Sequence, residues 1–345
     1  RLTIGFDWYR RNTTDMYTVG PTLPEVLGTT QPKGNYANLK TKGWELILSW
    51  RDNFKLAGSD FHYGVKFMLW DSQSWITKYN NATGKLSDYY EGYRIGDIWG
   101  YNIEGLFTSY DEIANHADQD YIKISDSKIW QPGDLKFADL NGDGKIDKGA
   151  QTLSDHGDLV IVGNEEERYH YGFNLNVGWK GIGISAFFQG VGKRDWYPGQ
   201  ETGFFWGKYN RPYGYSLKMH ENRWTEENPN PNAYWPRLVG YSSENGGRPM
   251  GTPNNRYMQD ASYLRLKALT VDYSLPQAWV SKLGLTGLKI YFTGENLFTF
   301  SNICENFDPE VIKGGDVDLK DRKGEEQGYS YPMLKTYTVG LNVSF

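Results

Sequence analysis

Apolar and polar side chains alternate without interruption over residues 169–179. One set of alternate positions is apolar or aromatic and consists of Tyr169, Tyr171, Phe173, Leu175, Val177 and Trp179. The other set consists of His170, Gly172, Asn174, Asn176 and Gly178. Successive side chains of a β-strand point to opposite faces, and about 9–11 tilted residues cross a bilayer core. The pattern predicts a membrane strand with its apolar face in lipid and its amide side chains in the lumen.

The same alternation recurs along the chain and predicts about eight to ten strands. These strands are expected near residues 1–11, 37–51, 61–79, 168–180, 181–194, 261–275, 286–300 and 333–345, with 92–102 as a further candidate. The predicted fold class is all-β, an antiparallel transmembrane β-barrel with long extracellular loops.

A soluble antiparallel sandwich also alternates, since one of its faces covers the core and the other contacts water. Soluble strands are usually about 5–6 residues long, whereas several windows here are longer and carry aromatic residues at their ends. The aromatic content of 16% agrees with a membrane protein, because tyrosine and tryptophan favour the membrane interface. The net charge of -5 gives no indication of a nucleic-acid partner.

The gaps between predicted strands are unequal. Short joins contrast with long polar segments at 103–167, 195–260 and 301–332, and outer-membrane barrels have short periplasmic turns and long external loops. We therefore assign the long segments to the extracellular side. Their aromatic side chains offer a substrate-binding surface, for which the candidates are Trp196, Tyr197, Trp206 and Trp235. Packing within the loop is the alternative role for each of them.

The strongest chemical motif is the run DLNGDGKID at residues 139–147. It matches the first nine positions of an EF-hand calcium loop, with ligands expected from Asp139, Asn141, Asp143, the Lys145 carbonyl and Asp147. Position 12 is Ala150 rather than a bidentate glutamate, so Asp155 and Asp158 are the nearest substitute ligands. The motif predicts a structural Ca²⁺ ion in an extracellular loop. The alternative is a turn rich in Asp, Asn and Gly without an ion.

Several motifs together resemble the C-terminal barrel region of SusC/RagA-type TonB-dependent outer-membrane transporters of Bacteroidetes. They are residues 38–46 (NLKTKGWEL), 139–147, 157–164 (GDLVIVGN), 168–172 (RYHYG), 187–195 (FFQGVGKRD), 263–267 (YLRLK), 294–298 (GENLF) and the terminal Phe345. The resemblance extends over essentially the whole chain.

The resemblance implies a barrel of about 22 strands, a plug domain inside it and a TonB box that couples to TonB, ExbB and ExbD. It also implies a SusD-like surface lipoprotein that covers the external face. No plug is recognised in this sequence, and an open sheet leaves unpaired edges that lipid does not tolerate. We therefore expect this chain to be the C-terminal part of a longer protein, or one half of a barrel made from two polypeptides.

Two other classes of function fit parts of the sequence. The run Asp155-His156-Gly157-Asp158 places an imidazole between carboxylates, as general acid–base catalysis requires, and some small outer-membrane barrels are enzymes. The aromatic loops and the calcium motif also fit a soluble, calcium-stabilised carbohydrate-binding module. The resemblance favours a non-enzyme that imports nutrients through the outer membrane; we take oligosaccharides as the first candidate cargo and peptides as the alternative, and the sequence itself does not decide between them.

Overall fold

The computed structural model describes residues 1–20, 26, 28, 31–122, 129–199, 202–209, 214–238, 252–312 and 330–345. Within these ranges the chain forms fourteen strands and three short α-helices. The strands are β1 Leu2–Val19, β2 Lys33–Leu56, β3 Ser59–Lys78, β4 Asp97–Gly100, β5 Ile103–Leu106, β6 Leu135–Phe137, β7 Val160–Asn164, β8 Arg168–Trp179, β9 Ile182–Lys193, β10 Asp195–Trp196, β11 Gln259–Asp260, β12 Tyr263–Ser274, β13 Gly287–Ser301 and β14 Thr336–Ser344. The helices are α1 Tyr110–Ala114, α2 Gly203–Trp206 and α3 Gln277–Val280. No helix in the described ranges is long and apolar enough to cross a membrane.

Eight of these strands form one antiparallel sheet, in the order β1-β2-β3-β8-β9-β12-β13-β14. At one end of the sheet two connections, β2–β3 and β8–β9, are tight, and the β12–β13 connection there contains α3. Ala57 and Gly58, and likewise Lys180 and Gly181, have positive φ, as the two-residue turns that match strand twist require. At the other end lie the long connections. This architecture confirms the predicted fold class, and the sheet is not closed into a barrel by the described strands.

The register aligns apolar side chains across the sheet. One continuous cross-strand row consists of Ile4, Leu48, Phe67, Phe173, Phe188, Leu266 and Phe298. The adjacent row on the opposite face contains Lys66 and Asn174. We call the face that carries the first row the apolar face, and the face that carries Lys66 and Asn174 the polar face. A shift of one residue would exchange the two faces, so the alternation read from the sequence also determines the register.

Tyrosine rings cover glycines in the strand pairs at both margins of the sheet. Tyr9 on β1 lies over Gly43 on β2, and Tyr291 on β13 lies over Gly340 on β14. A Cβ atom added to either glycine would overlap the tyrosine ring. Both contacts are on the polar face, so glycine is required there by the close approach of the ring.

The structure corrects some predicted boundaries. Strands β1, β2 and β3 contain 18, 24 and 20 residues, so β1 and β2 extend well beyond the predicted windows toward the long connections. The candidate strand at 92–102 is wrong as a wall strand. Positive φ at Gly92 and Gly96 turns the chain there, and only β4 within this segment is extended. It pairs with β7 outside the large sheet.

The described parts of the three long connections, residues 79–167, 194–262 and 302–335, pack together into a unit that we call the loop domain. Its buried core combines side chains from all three connections, among them Leu135, Phe137, Ile146, Phe205, Trp206, Trp235, Tyr257, Ile303, Phe307 and Ile312. An ion pair joins the first two connections, with Arg237 Nε 2.6 Å from Asp134 Oδ1. The predicted loops therefore share one hydrophobic core.

Candidate functional site

The second long connection is organised around buried aromatic rings. Trp235 stacks on Tyr209, with ring centroids 5.0 Å apart, and on Tyr257 at 5.2 Å. Trp206 meets Trp235 edge to face at 5.9 Å. Aromatic pairs favour such offset and edge-to-face arrangements, which add to the stabilisation from burial. The rings form a rigid centre for the loop domain.

The four aromatic residues predicted to bind substrate lie in or against this core. Trp206 and Trp235 are 0% exposed and Trp196 is 2% exposed, while Tyr197 is partly buried and packs against the same cluster. Both indole N–H groups of Trp206 and Trp235 donate to backbone carbonyls, at 2.8 and 3.0 Å. Each residue thus has a packing role, and its contact with substrate stays a prediction.

Exposed rings occur elsewhere on the loop domain. Phe204 and Tyr215 are 46% and 52% exposed and their ring centroids are 6.4 Å apart. Tyr331 on the third connection is also exposed. The sequence pattern did not distinguish these rings from the buried ones, because the loop segments lack the strand periodicity that separates inward from outward positions.

His220 is a buried histidine within the aromatic centre. Its Nε2 lies 2.8 Å from the carbonyl oxygen of Phe205, and its Nδ1 accepts a hydrogen bond from the Leu217 amide at 2.9 Å. These partners require a neutral ring with the proton on Nε2. Burial lowers the pKa of His220, which agrees with a neutral imidazole.

The predicted calcium loop is a chain of side-chain-to-backbone hydrogen bonds. Asp139 accepts from the amides of Gly142 and Gly144, at 2.7 and 2.9 Å. Asn141 accepts from the Asp143 amide, and Asp143 accepts from the Lys145 amide, both at 2.9 Å. Such turns are typical of Asp and Asn. They shape the loop with or without an ion.

Ile146 and Asp118 connect this loop to the rest of the loop domain. The Ile146 side chain is fully buried in the shared core, its amide donates to the Asp118 carbonyl at 2.8 Å, and the Asp118 amide donates to the Gly144 carbonyl at 2.9 Å. Any ligand that orders the loop would therefore also order part of the core.

Asp155 and Asp158, the proposed substitute ligands, already bind backbone amides. Asp158 is 1% exposed and accepts from the Leu140 amide at 2.7 Å and from the Asp147 amide at 2.9 Å. It therefore joins the beginning and the end of the motif. Asp155 Oδ2 accepts from the Ala150 amide at 3.1 Å. The sequence does not predict that Asp158 joins the two ends of the motif, because these contacts connect residues that are 11 and 18 positions apart.

The oxygen ligands of the motif are of a suitable type for a cation, but the carboxylates among them do not converge on one point in this structure. Asp, Asn and carbonyl oxygens are the ligands that calcium prefers, but in the described residues no three acidic, His or Cys side chains converge on one point. The Tyr101 hydroxyl is buried without a hydrogen-bond partner among those residues. Burial raises the pKa of Tyr101, and the charges of Asp158 and Asp147 raise it further. Calcium binding stays a prediction.

His156 does not form an acid–base pair with the neighbouring carboxylates. Its ring lies 5.4 Å from that of Trp99, and Nδ1 is buried without a hydrogen-bond partner in the described part of the chain. Asp155 and Asp158 accept from backbone amides instead. This arrangement fits a packing role for the imidazole.

A buried ionic network fixes the third connection against the polar face of the sheet. Arg265, which is 3% exposed, lies 2.6 Å from Asp308 and 2.5 Å from Glu310, and its Nε donates to Thr299 at 2.8 Å. Lys267 also binds Glu310, at 2.8 Å. Residues from two strands thus hold the start of the connection against the polar face.

A cavity of about 500 Å³ opens beside this network. It is lined by Glu167, Arg194, Glu310, Val311, Ile312, Ser330 and Tyr331. Arg194 donates to Glu167 at 2.9 Å, but its buried Nε–H has no partner among the described residues. These side chains come from three separate segments, so no local pattern in the sequence could have brought them together.

Comparison with known proteins gives consistent results. The chain is 27% identical over 360 residues to TonB-dependent receptor P3 of Formosa agariphila, and 28% identical over 357 residues to TonB-dependent receptor P26 of the same bacterium. Both matches include the whole chain, which spans about a third of the length of these relatives, 32% and 33% respectively. No family model matches.

Solved structures share the fold. The RagAB peptide transporter matches with a TM-score of 0.68 and 21% identity, and the RagAB peptide importer in its open-open state matches with 0.64 and 22%. Each match includes the whole of this chain and 34% or 33% of the other. Together with the named receptors, these neighbours confirm the resemblance drawn from the sequence motifs. The relatives are named as receptors and transporters, not as enzymes.

Proposed function

Since the chain is homologous over its whole length to part of several TonB-dependent receptors, we propose that it forms about a third of an outer-membrane importer. The whole-chain similarity is the observation that carries this proposal. The sheet supports it, because an apolar row crosses seven strands while the opposite face is polar, as the wall of a membrane barrel requires. The protein is an importer of SusC/RagA type and not an enzyme.

The mechanism is active transport without chemical change of the cargo. The loop domain lies outside the cell and receives the cargo together with a SusD-like surface lipoprotein. TonB, with ExbB and ExbD, then moves a plug domain by using the proton-motive force. The residues that contact TonB and form the plug belong to parts of the protein beyond this chain.

Oligosaccharides are the cargo that we favour. Exposed rings such as Phe204, Tyr215 and Tyr331 offer flat apolar faces for sugars. Arg194 lines the cavity, and its Nε–H, which has no partner among the described residues, is a candidate donor to a cargo oxygen. The buried Trp196, Tyr197, Trp206 and Trp235 would then support this surface from below. Peptides are the second candidate, because the solved structures with the same fold are described as peptide transporters.

Uptake by the complete protein tests the proposal. A Gram-negative strain that carries the gene, and its deletion mutant, would be given fluorescent oligosaccharides and fluorescent peptides with and without an uncoupler of the proton-motive force. We expect gene-dependent uptake of the oligosaccharides that the uncoupler abolishes. Uptake of peptides alone would select the second cargo. Uptake that survives the uncoupler, or conversion of the cargo by the purified protein, would reject the proposal.

We further propose that Ca²⁺ stabilises the loop domain through Asp139, Asn141, Asp143, Asp147 and the Lys145 carbonyl. A site with a Kd of about 10⁻⁴–10⁻³ M would still fill outside the cell. Support comes from the ligand types and from the burial of Ile146, which links the loop to the core. Asp155 and Asp158 would keep the loop in shape beside the ion.

Calcium titration of the purified complete protein tests this second proposal. The melting temperature should rise with Ca²⁺ and fall with a chelator, and Asp143→Ala should remove the response. Asp111→Ala, on α1 away from the motif, is the matched control. A chelator-insensitive melting temperature in the unmodified protein would favour the turn without an ion.

A further inference from the structure

Three cations lie on the apolar face, immediately beyond two tryptophans. Trp8 and Trp44 are directly opposite each other on β1 and β2. Toward the long connections, the next pair on this face is Arg10 on β1 and Lys42 on β2, which are opposite each other. Lys40 lies two residues beyond Lys42 on β2, opposite Asn12. Residues two apart in a strand share a face. The side chains of Arg10, Lys40 and Lys42 therefore continue the same face as the tryptophans, and we call them the basic cluster.

The basic cluster has no acidic partner among the described residues. None of its members belongs to an ion pair there. Arg10 Nε makes one long hydrogen bond, 3.4 Å to Asn12. Asp71, which lies opposite Trp44 on β3, binds Arg168 instead. Like charges directly opposite in a sheet are destabilising, so the pair Arg10 and Lys42 calls for an anion from outside the chain.

The depth of the cluster follows from the apolar band below it. On β2 the apolar face presents Trp50, Leu48, Leu46 and Trp44 in succession. The ten steps of strand from Phe54 to Trp44 measure roughly 33 Å, and at the tilt of about 40° of outer-membrane barrel strands they rise by about 25 Å, the height of the apolar band. Asp52 lies on this face between Trp50 and Phe54. The cluster begins where this band ends. Trp75 lies at the same level, with the Lys42 Nζ atom 5.9 Å from its ring centroid, as an interfacial indole would.

We propose that Arg10, Lys40 and Lys42 bind a phosphate group in the headgroup of an outer-leaflet lipid, an inference that rests on the proposed membrane location. The planar guanidinium of arginine matches phosphate with two parallel hydrogen bonds, and the lysines add two point charges. The lipid's acyl chains would lie on the apolar row beneath the headgroup. The phosphate compensates the repulsion between Arg10 and Lys42, so the lipid also stabilises the β1–β2 pair.

The test measures lipid binding by the complete protein in neutral detergent. The probes are bisphosphorylated lipid A and the same lipid without phosphates, with bound lipid counted by native mass spectrometry. The triple variant Arg10→Gln, Lys40→Gln, Lys42→Gln removes the cluster. The control Lys55→Gln, Lys66→Gln, Lys289→Gln removes the same net charge elsewhere, since Lys66 is on the polar face, Lys55 pairs with Asp60 and Lys289 pairs with Asp272.

We expect the phosphorylated lipid to bind and the cluster variant to weaken that binding on the order of 100-fold, about one factor of five for each charge. The control and the charge-preserving variant Arg10→Lys, Lys40→Arg, Lys42→Arg should keep it. Equal binding of the lipid without phosphates, equal loss in the control, or full competition by millimolar inorganic phosphate would overturn the proposal. The proposal would also be overturned if the cluster variant lost a copurifying protein and kept the lipid. If the cluster variant does not assemble, loss of lipid binding in the charge-preserving variant overturns the proposal as well.

Uptake provides an independent readout. The cluster variant should import the fluorescent cargo at the rate of the control, because the cluster lies on the outer surface of the wall. Failure of the import proposal would therefore appear in the uptake assay of the unmodified protein, whereas failure of the lipid proposal would appear only in the binding measurement.

Discussion

At the residue scale, His220 shows how buried hydrogen-bond partners determine the protonation state of a side chain. Its two nitrogens face one acceptor and one donor of the backbone, so the ring can take up a second proton only by breaking the hydrogen bond from the Leu217 amide. Burial opposes the charge as well and lowers the pKa. The residue thus links the aromatic centre of the loop domain to pH.

We predict that acidification loosens this region. The pKa of His220 is lower in the folded protein than the ordinary value of about 6.5. Below pH 6.5 the unfolded state therefore binds the proton first, and the free energy of unfolding decreases as pH falls toward the folded pKa. Going from pH 7.5 to 5.5 should therefore cost local stability. Hydrogen exchange at Leu217, corrected for intrinsic rates, measures this cost.

The variant His220→Gln is the control for that experiment. A glutamine amide can donate to the Phe205 carbonyl and accept from the Leu217 amide without titrating. Its local stability should depend less on pH. An unchanged pH dependence in the variant would assign the effect to other groups.

The two faces of β8 give a second prediction at this scale. Leu175 is on the apolar face and Asn176 on the polar face. Leu175→Arg should destabilise the assembled wall by about 2–4 kcal/mol, because a cation at midplane depth is placed in lipid, while Asn176→Arg should cost far less. Unfolding of the complete protein in lipid vesicles measures both. Equal losses would contradict the assignment of the faces.

At the scale of elements, wall and loops differ in how far the sequence determines them. The strand β8 was predicted at 168–180 and observed at Arg168–Trp179, because alternation records burial directly. The loop domain has no such period. Trp206 and Phe204 are two residues apart in the sequence, yet one is buried and the other exposed. Contacts between distant segments, such as Arg237 with Asp134, decide which ring is covered.

The ionic network of Arg265 should control the attachment of the third connection. Asp308→Ala would leave the buried Arg265 paired with Glu310 alone and should destabilise the docking of residues 302–312 by about 1–3 kcal/mol. Limited proteolysis and hydrogen exchange of this segment are the measurements. Lys289→Ala breaks an exposed ion pair with Asp272 and should cost less than about 1 kcal/mol. Similar effects of the two substitutions would contradict a structural role for the network.

At the scale of the whole molecule, the eight-stranded sheet has β1 and β14 at its margins. Backbone amides and carbonyls at such margins have no water partner in lipid and require further strands. This requirement agrees with the finding that the chain spans about a third of its relatives. The wall described here is one arc of a larger enclosure in the proposed importer.

We predict that residues 1–345 expressed alone with an outer-membrane signal do not form a stable barrel. Heat-modifiable electrophoretic mobility, measured against the complete protein, distinguishes the two cases. Heating should leave the electrophoretic mobility of residues 1–345 unchanged, and proteases should degrade them. The mobility of the complete protein should change on heating. A folded, inserted species from residues 1–345 alone would favour the small-barrel enzyme that the sequence left as an alternative.

The tyrosines that cover Gly43 and Gly340 have a consequence for how the wall is assembled. A slip of two residues keeps both faces chemically correct, so the hydrophobic effect cannot detect it. Such a slip would place the Tyr9 ring opposite Thr41 or Glu45 instead of Gly43, where a side chain already occupies the space. The fit between the ring and the glycine therefore selects the correct strand register. Each marginal strand pair carries one such contact, and Tyr171 over Gly190 provides another in the β8–β9 pair.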